Sequence, residues 1–252
     1  MFALEFPPID NLVKWPNYFG DETFYAFNKI GLISLLAMAI PTVMFLVSKK
    51  ELVPSGMQNI VEGVVEFVDK QVIMSAIGPE GRKYAPLLIS IFMFVFWGNL
   101  FEVIPTFHMP ANARMANPLV LAIVAWATFI GVGIKAQGFG AFFKGSIFPP
   151  GVPVFLLPLV GLIELISTFL LRPFGLAVRL FANMLAGHIL LVTFGVICIT
   201  LWQTSAVAVV LPFSFAVLVG LTGFEIGVSF IQAFVFSLLT AVYINLSLHA
   251  HH

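Results

Sequence analysis

Charge is what this sequence has least of. Only 10% of its 252 residues are Asp, Glu, Lys or Arg, where roughly 25% is usual in a soluble domain, and 60% are hydrophobic. From Gly145 to the carboxyl terminus, 108 residues, the acids and bases number four: Glu164, Arg172, Arg179 and Glu225. With a mean hydropathy of +1.04, this excludes a water-soluble globular domain and leaves a polytopic membrane protein. The net charge is zero, so there is no basic field to attract nucleic acid and no acidic tail to recruit a partner. A single cysteine, Cys198, excludes an internal disulfide framework and a cysteine metal cluster, and reads as a small buried hydrophobe. Internal repeats, glycine-rich phosphate loops, paired-histidine metal motifs and nucleophile elbows are all missing. Neither soluble-style catalysis nor a metal or other cofactor is therefore expected.

What is present are apolar runs separated by short charged breaks. Residues 1–29 are polar and aromatic, with Pro7, Pro8 and Pro16, and read as a surface segment too broken for a long helix; no signal or transit peptide is read there. Ile30 to Val47 is a first span kinked at Pro41, which membrane helices tolerate. Over 54–77 the pattern changes: Ile60, Val61, Val64, Val65, Val68 and Val72 recur at helical spacing with Glu62, Glu66 and Asp69 opposite, the signature of an amphipathic surface helix docked on lipid or on protein. Tyr84 to Ile104 is a second span carrying Asn99 and Glu102, three residues apart on one face; such a carboxylate either reaches the headgroups or belongs to a buried site. Asn117 to Ile134 is a third span. With the amino terminus outside, seven basic residues (Lys49, Lys50, Lys70, Arg82, Lys83, Lys135, Lys144) fall inside and three (Lys14, Lys29, Arg114) outside, the orientation the positive-inside rule favours.

Two long apolar stretches follow. Residues 152–201 would measure roughly 75 Å as one helix, over twice a hydrocarbon thickness, so they form either two spans turning near Arg172 and Pro173 or one strongly tilted helix. Trp202 to Ala206 reads as a short outside turn. Residues 207–248 are likewise too long to stand upright and end at His249-Ala-His-His252, from which no function is read.

The polar groups inside these stretches carry the functional signal, since an intramembrane Arg costs from about 3 to over 10 kcal/mol. On a helical wheel Arg179 and Asn183 lie about 40° apart and His188 about 180° from Arg179, so the helix has two polar faces. One must meet water or another protein and the other a neighbouring helix. Glu225, Ser229 and Gln232 line one side of the last helix, which would let Glu225 meet His188. Histidine and a carboxylate exchange protons at accessible pH and suit a proton wire; Arg keeps its charge and suits a fixed electrostatic gate. The competing reading is that His188, Asn183 and Gln232 are interhelical hydrogen-bond partners and Glu164 and Arg172 a structural pair. Arg179 has no acid three or four positions away to neutralise it.

The run Arg179-Leu-Phe-Ala-Asn-Met-Leu-Ala-Gly followed by His188, with Glu225 and Gln232 seven apart downstream, resembles subunit a of the F-type ATP synthase membrane sector. Phe96-Trp97-Gly98-Asn99-Leu100-Phe101-Glu102 looks like that family's second-span motif, and Arg114 to Asn117 like its following loop. Ala182 stands where many members have Gly, and the His188 and Glu225 pair occurs in swapped positions in other branches. The resemblance implies an all-α polytopic membrane protein: five membrane-embedded helices, the last two long and tilted, plus the surface helix. It also implies a bacterial plasma-membrane location with the amino terminus outside and the carboxyl terminus cytoplasmic. The partners it implies are a c-subunit ring, b-type peripheral stalk subunits, lipids and protons, with no nucleic acid. Arg179 would face the rotor carboxylate between two offset half-channels. Asn183, His188, Glu225, Gln232, Ser229, Asn99 and Glu102 would border the outer half-channel, and Glu164, Ser167 and Arg172 the inner one. A stand-alone secondary transporter is the alternative, and would place its polar groups around a midplane substrate site in repeated halves.

Overall fold

The computed structural model describes residues 17–19, 27–48, 51–53, 55–104, 107, 109–147, 153–203 and 208–248. Most of the amino-terminal segment, Lys49, Lys50, His108, much of the turn after Trp202 and the final four residues lie outside these. Five helices are long and apolar enough to cross a membrane, so the all-α polytopic expectation holds. The only strands among the described residues are β1 (Asn17–Phe19) and β2 (Phe27–Asn28), a short antiparallel pair leading into α1 (Lys29–Val47), which Asn28 caps by accepting the Gly31 N–H at 3.1 Å.

The amphipathic segment is α2 (Met57–Val68), which continues through a π-helical turn (Asp69–Ile73) into a last turn α3 (Met74–Ala76). Of the two surfaces open to it, it meets protein. Val68, Val72 and Ile73 are fully buried in the main core, and the Phe67 ring lies 5.7 Å from Phe92, 5.2 Å from Phe230 and 5.8 Å from Phe234. Ile60, expected on the apolar face, is exposed. Gly78, at φ 91°, reverses the chain, and a 3-10 turn (Pro79–Tyr84) feeds α4 (Ala85–Leu100).

The third span is α5 (Ala116–Gln137). Beyond Gly138, whose φ of 85° ends it while its N–H caps Ile134 O at 2.8 Å, the chain enters a short helix the sequence reading lacked, α6 (Phe139–Ile147). Phe142 seats on Gly133 so closely that a Cβ there would lie 2.2 Å from the ring, and Phe143 stacks on Phe169 with centroids 5.5 Å apart. Gly133→Leu is therefore expected to overpack this corner by about 1–3 kcal/mol and lower the melting temperature of the purified complex. Gly131→Ala, where a Cβ meets nothing within 4 Å, should leave it unchanged.

The fifty-residue stretch is continuous helix: α7 (Leu157–Ile166), a π-helical turn (Ser167–Leu171) and α8 (Arg172–Gln203). Pro173 explains the widened turn. Proline has no N–H and its ring clashes with the carbonyl four residues back; one extra residue in the turn, with Arg172 N–H reaching Ser167 O, opens that spacing without breaking the helix. Its apolar span Leu157–Trp202, 46 residues, is about 69 Å long and cannot stand upright across about 30 Å of hydrocarbon. The last helix, α9 (Leu211–Leu248), has 38 residues and is bound by the same limit. Helices α4, α5, α8 and α9 share the main core, where Leu88, Ala125, Leu180, Met184 and Ala241 are fully buried. Helix α1 joins α4 through a second cluster around Ile33, Ala37 and Phe101.

Candidate proton path

Helix α8 separates its polar groups as the wheel requires. Arg179 and Asn183 are exposed, whereas Leu180, Met184 and His188 are buried. Among the described residues Arg179 has no carboxylate within ion-pair distance. On the same exposed face of α8 lie Gly175, Ala182 and Ala186; on α9, Gly220, Gly223 and Gly227 are exposed with open space where a Cβ would stand.

On the buried side three titratable groups gather. His188, 5% exposed, has Nδ1 at 3.8 Å from Oε1 of Glu102, which is 1% exposed. Glu225, 3% exposed, lies against Gly187, the residue before His188, so tightly that a Cβ there would be 2.5 Å from its Oε1. Glu102 is thus a buried member of the site and not a headgroup contact. The expectation joined His188 to Glu225; the structure adds Glu102, in the turn that follows α4, as a carboxylate beside the imidazole. Both Glu102 oxygens and Glu225 Oε2 are buried without a hydrogen-bond partner among the described residues.

Glu102 and His188 lie at one end of a cavity of about 430 Å³ lined also by Leu191, Gly195, Ile199, Leu218 and Thr222. From His188 to Ile199 it follows α8 for roughly 16 Å, toward the helix end at Gln203. Its walls are apolar apart from Thr222.

The other candidates divide. Ser229, fully buried, donates its hydroxyl to Glu225 O at 2.8 Å, and Gln232 is buried one turn further along α9. Asn99 accepts from Asn112 Nδ2 at 2.6 Å. That bond and the pair from Asn117 Nδ2 to Ser34 Oγ (2.6 Å) and Ala111 O (2.8 Å) pin the loop before α5 over Gly98, so Asn99 anchors this loop beside the site. Asn112 was missed by sequence reasoning, and Gly187 entered only as the last residue of the arginine motif; a lone Asn in a small-residue loop and a Gly preceding a polar residue carry no signal of their own. Glu164 and Ser167 are half-buried around the π turn. No ion pair joins Glu164 to Arg172 among the described residues; Arg172 instead lies over the Tyr243 ring, 5.5 Å from its centroid.

The chain is a multi-pass helical membrane protein with an exposed arginine on one side of a long helix and buried acid and imidazole groups on the other. Comparison places it further. The ATP synthase A chain family matches residues 31–245. Similar proteins, each named ATP synthase subunit a, include those of Rhodococcus erythropolis, 42% identical over 90% of this chain and 84% of the relative; of Bradyrhizobium diazoefficiens, 40% identical over 93% of both; and of Frankia alni, 38% identical over 94% of this chain and 84% of the relative. The chain belongs to the ATP synthase A chain family.

Proposed function

We propose that the chain is the proton-conducting stator subunit of an F-type ATP synthase, non-catalytic in itself, with two offset half-channels that load and unload carboxylates on a ring of c subunits. The observation that carries this is the cavity along α8 ending on Glu102 and His188, on the opposite side of the helix from Arg179. Protons enter from outside through the cavity, pass Glu102, His188 and Glu225, and neutralise a rotor carboxylate, which can then face lipid. After the ring has turned, the carboxylate gives its proton up beside Arg179, and the proton leaves past Glu164, Ser167 and Arg172. Each charge moved is driven by about 2.3 kcal/mol per 100 mV plus the pH term.

The exposed Arg179 and Asn183 cannot face lipid without cost, and the small residues flanking them permit close approach by another chain's helices; the c ring is that chain. Peripheral stalk subunits of the b type hold the subunit against it. The chain is a single membrane domain in a bacterial plasma membrane, with residues 1–29 outside, the α2 helix at the cytoplasmic surface and the carboxyl terminus cytoplasmic. The element order has no repeated halves among the described residues, against a stand-alone transporter.

Aqueous access tests the reading. In a Cys198→Ser background, Gly195→Cys places a thiol where a Cβ meets nothing within 4 Å. A membrane-impermeant thiosulfonate applied from outside is expected to block proton flow through the assembled complex, and the same reagent from the cytoplasmic side to leave it unchanged. Indifference to the reagent on both sides rules out an outer half-channel here.

A further inference from the structure

At the opposite end of the helices from the cavity above lies a second hollow, of about 610 Å³, between the 3-10 turn before α4, the last three turns of α5 and the end of α9. Its size is within the range of ligand sites, ~300–1,000 Å³. Gln137 Nε2 donates to Ser247 O at 2.7 Å, which ties the ends of α5 and α9 together and fixes the depth of the hollow at the edge of the spans. Lys83 and Lys135 line its rim with Tyr84.

The two lysines differ from their neighbours. Lys70 bonds to Glu66, which lifts the lysine above its ordinary pKa, and Arg82 bonds to Asp69 at 2.9 Å; Lys83 and Lys135 have no carboxylate partner among the described residues, and Lys83 lies over the Tyr84 ring at 5.1 Å. Below Lys135 on α5, Gly131 and Ala127 follow at intervals of four residues, so one helix face becomes a groove headed by a cation. The space over Gly131 is open. Thr128, which also lines the hollow, turns its hydroxyl back to Val124 O at 2.8 Å.

We propose that this hollow binds one anionic glycerophospholipid, its phosphate held between Lys83 and Lys135 and an acyl chain lying in the groove over Gly131. Unpaired cations at headgroup depth, an aromatic residue at the interface and an apolar channel leading into the bilayer match a phospholipid's phosphate, glycerol and tail in order. A soluble anion would use the lysines and leave the groove empty.

The test uses the purified complex in mild detergent, with phosphatidylglycerol or phosphatidylcholine supplied in mixed micelles and retained lipid counted by native mass spectrometry. Wild type is expected to retain phosphatidylglycerol in preference to phosphatidylcholine. Lys83→Gln with Lys135→Gln is expected to weaken that retention by about fivefold per lysine, about 25-fold for the pair, and Lys144→Gln, a cation outside the hollow, to leave it unchanged. Gly131→Leu keeps both lysines and fills the groove, so it too should lose the lipid, and it decides the matter if the double variant does not assemble. Undiminished retention in these variants, an equal loss with Lys144→Gln, or displacement of the lipid by inorganic phosphate overturns the assignment. None of these outcomes depends on the half-channels.

Discussion

Alanine at Arg179 is expected to abolish ATP-driven acidification of inverted membrane vesicles while the complex, c ring included, stays intact on a blue-native gel. Stability and function separate cleanly at this position. Arg179 is exposed on its own chain and has no internal acid partner among the described residues, so its loss should change the fold by no more than about 0.5 kcal/mol. Its neighbours Ala177, Leu180 and Met184 hold α8 in the core from the other side. What alanine removes is a permanent positive charge, which in the proposed path would favour the ionised form of a carboxylate brought beside it and repel an excess proton passing from one half-channel to the other. Arg179→Lys separates gate from glue. A lysine keeps a charge but loses the planar fork and gives up its proton far more readily in a poorly hydrated site, so coupling is expected to remain largely lost. If the arginine were only packing, lysine would restore nearly full pumping. Normal acidification with Arg179→Ala would show that the polar groups of α8 are structural.

The fold was legible wherever a long apolar run was bounded by charges, because burial of every backbone polar group in a bilayer leaves helices as the only solution for such runs. The boundaries of α1 and α5 follow from that alone. The continuity of residues 157–203 did not. A proline beside an arginine reads equally as a turn, and only the family resemblance chose one helix; the structure supplies the reason, a π turn that absorbs Pro173. Helix α6 escaped because nine residues are too few to span and its cue, phenylalanines at 139, 142 and 143, takes meaning only once Gly133 is known to receive Phe142. In the site, a helical wheel gives the face of each group and not its height. It put His188 and Glu225 on facing sides but could not bring in Glu102, which lies 3.8 Å from the imidazole and is contributed by a turn after α4 that no wheel of α8 or α9 contains. The cavity was invisible for a related reason: its walls are ordinary apolar residues, and only their separation makes it.

Glu102 and His188 should behave as one relay. Their 3.8 Å separation is longer than a hydrogen bond, and a single bridging water or a small side-chain rotation closes it. A hydrogen bond to a charged group is worth about 1.5–3 kcal/mol, which as a barrier corresponds to roughly 10- to 150-fold in rate. Glu102→Gln and His188→Ala are each expected to slow proton pumping within that range. If protons pass through both in series, the double variant is slowed about as much as either single one, because the second substitution breaks a path already broken; independent contributions would instead multiply. Gly187→Ala extends the test to Glu225 without touching a titratable group. A methyl 2.5 Å from the Glu225 carboxylate must displace it, and the rate is expected to fall as it does for Glu225→Gln, whereas Gly195→Ala, with nothing within 4 Å of its Cβ, should pump at the wild-type rate. Unchanged pumping in both His188→Ala and Glu225→Gln would sink the relay and leave the cavity a passage that ends without a proton-transferring group.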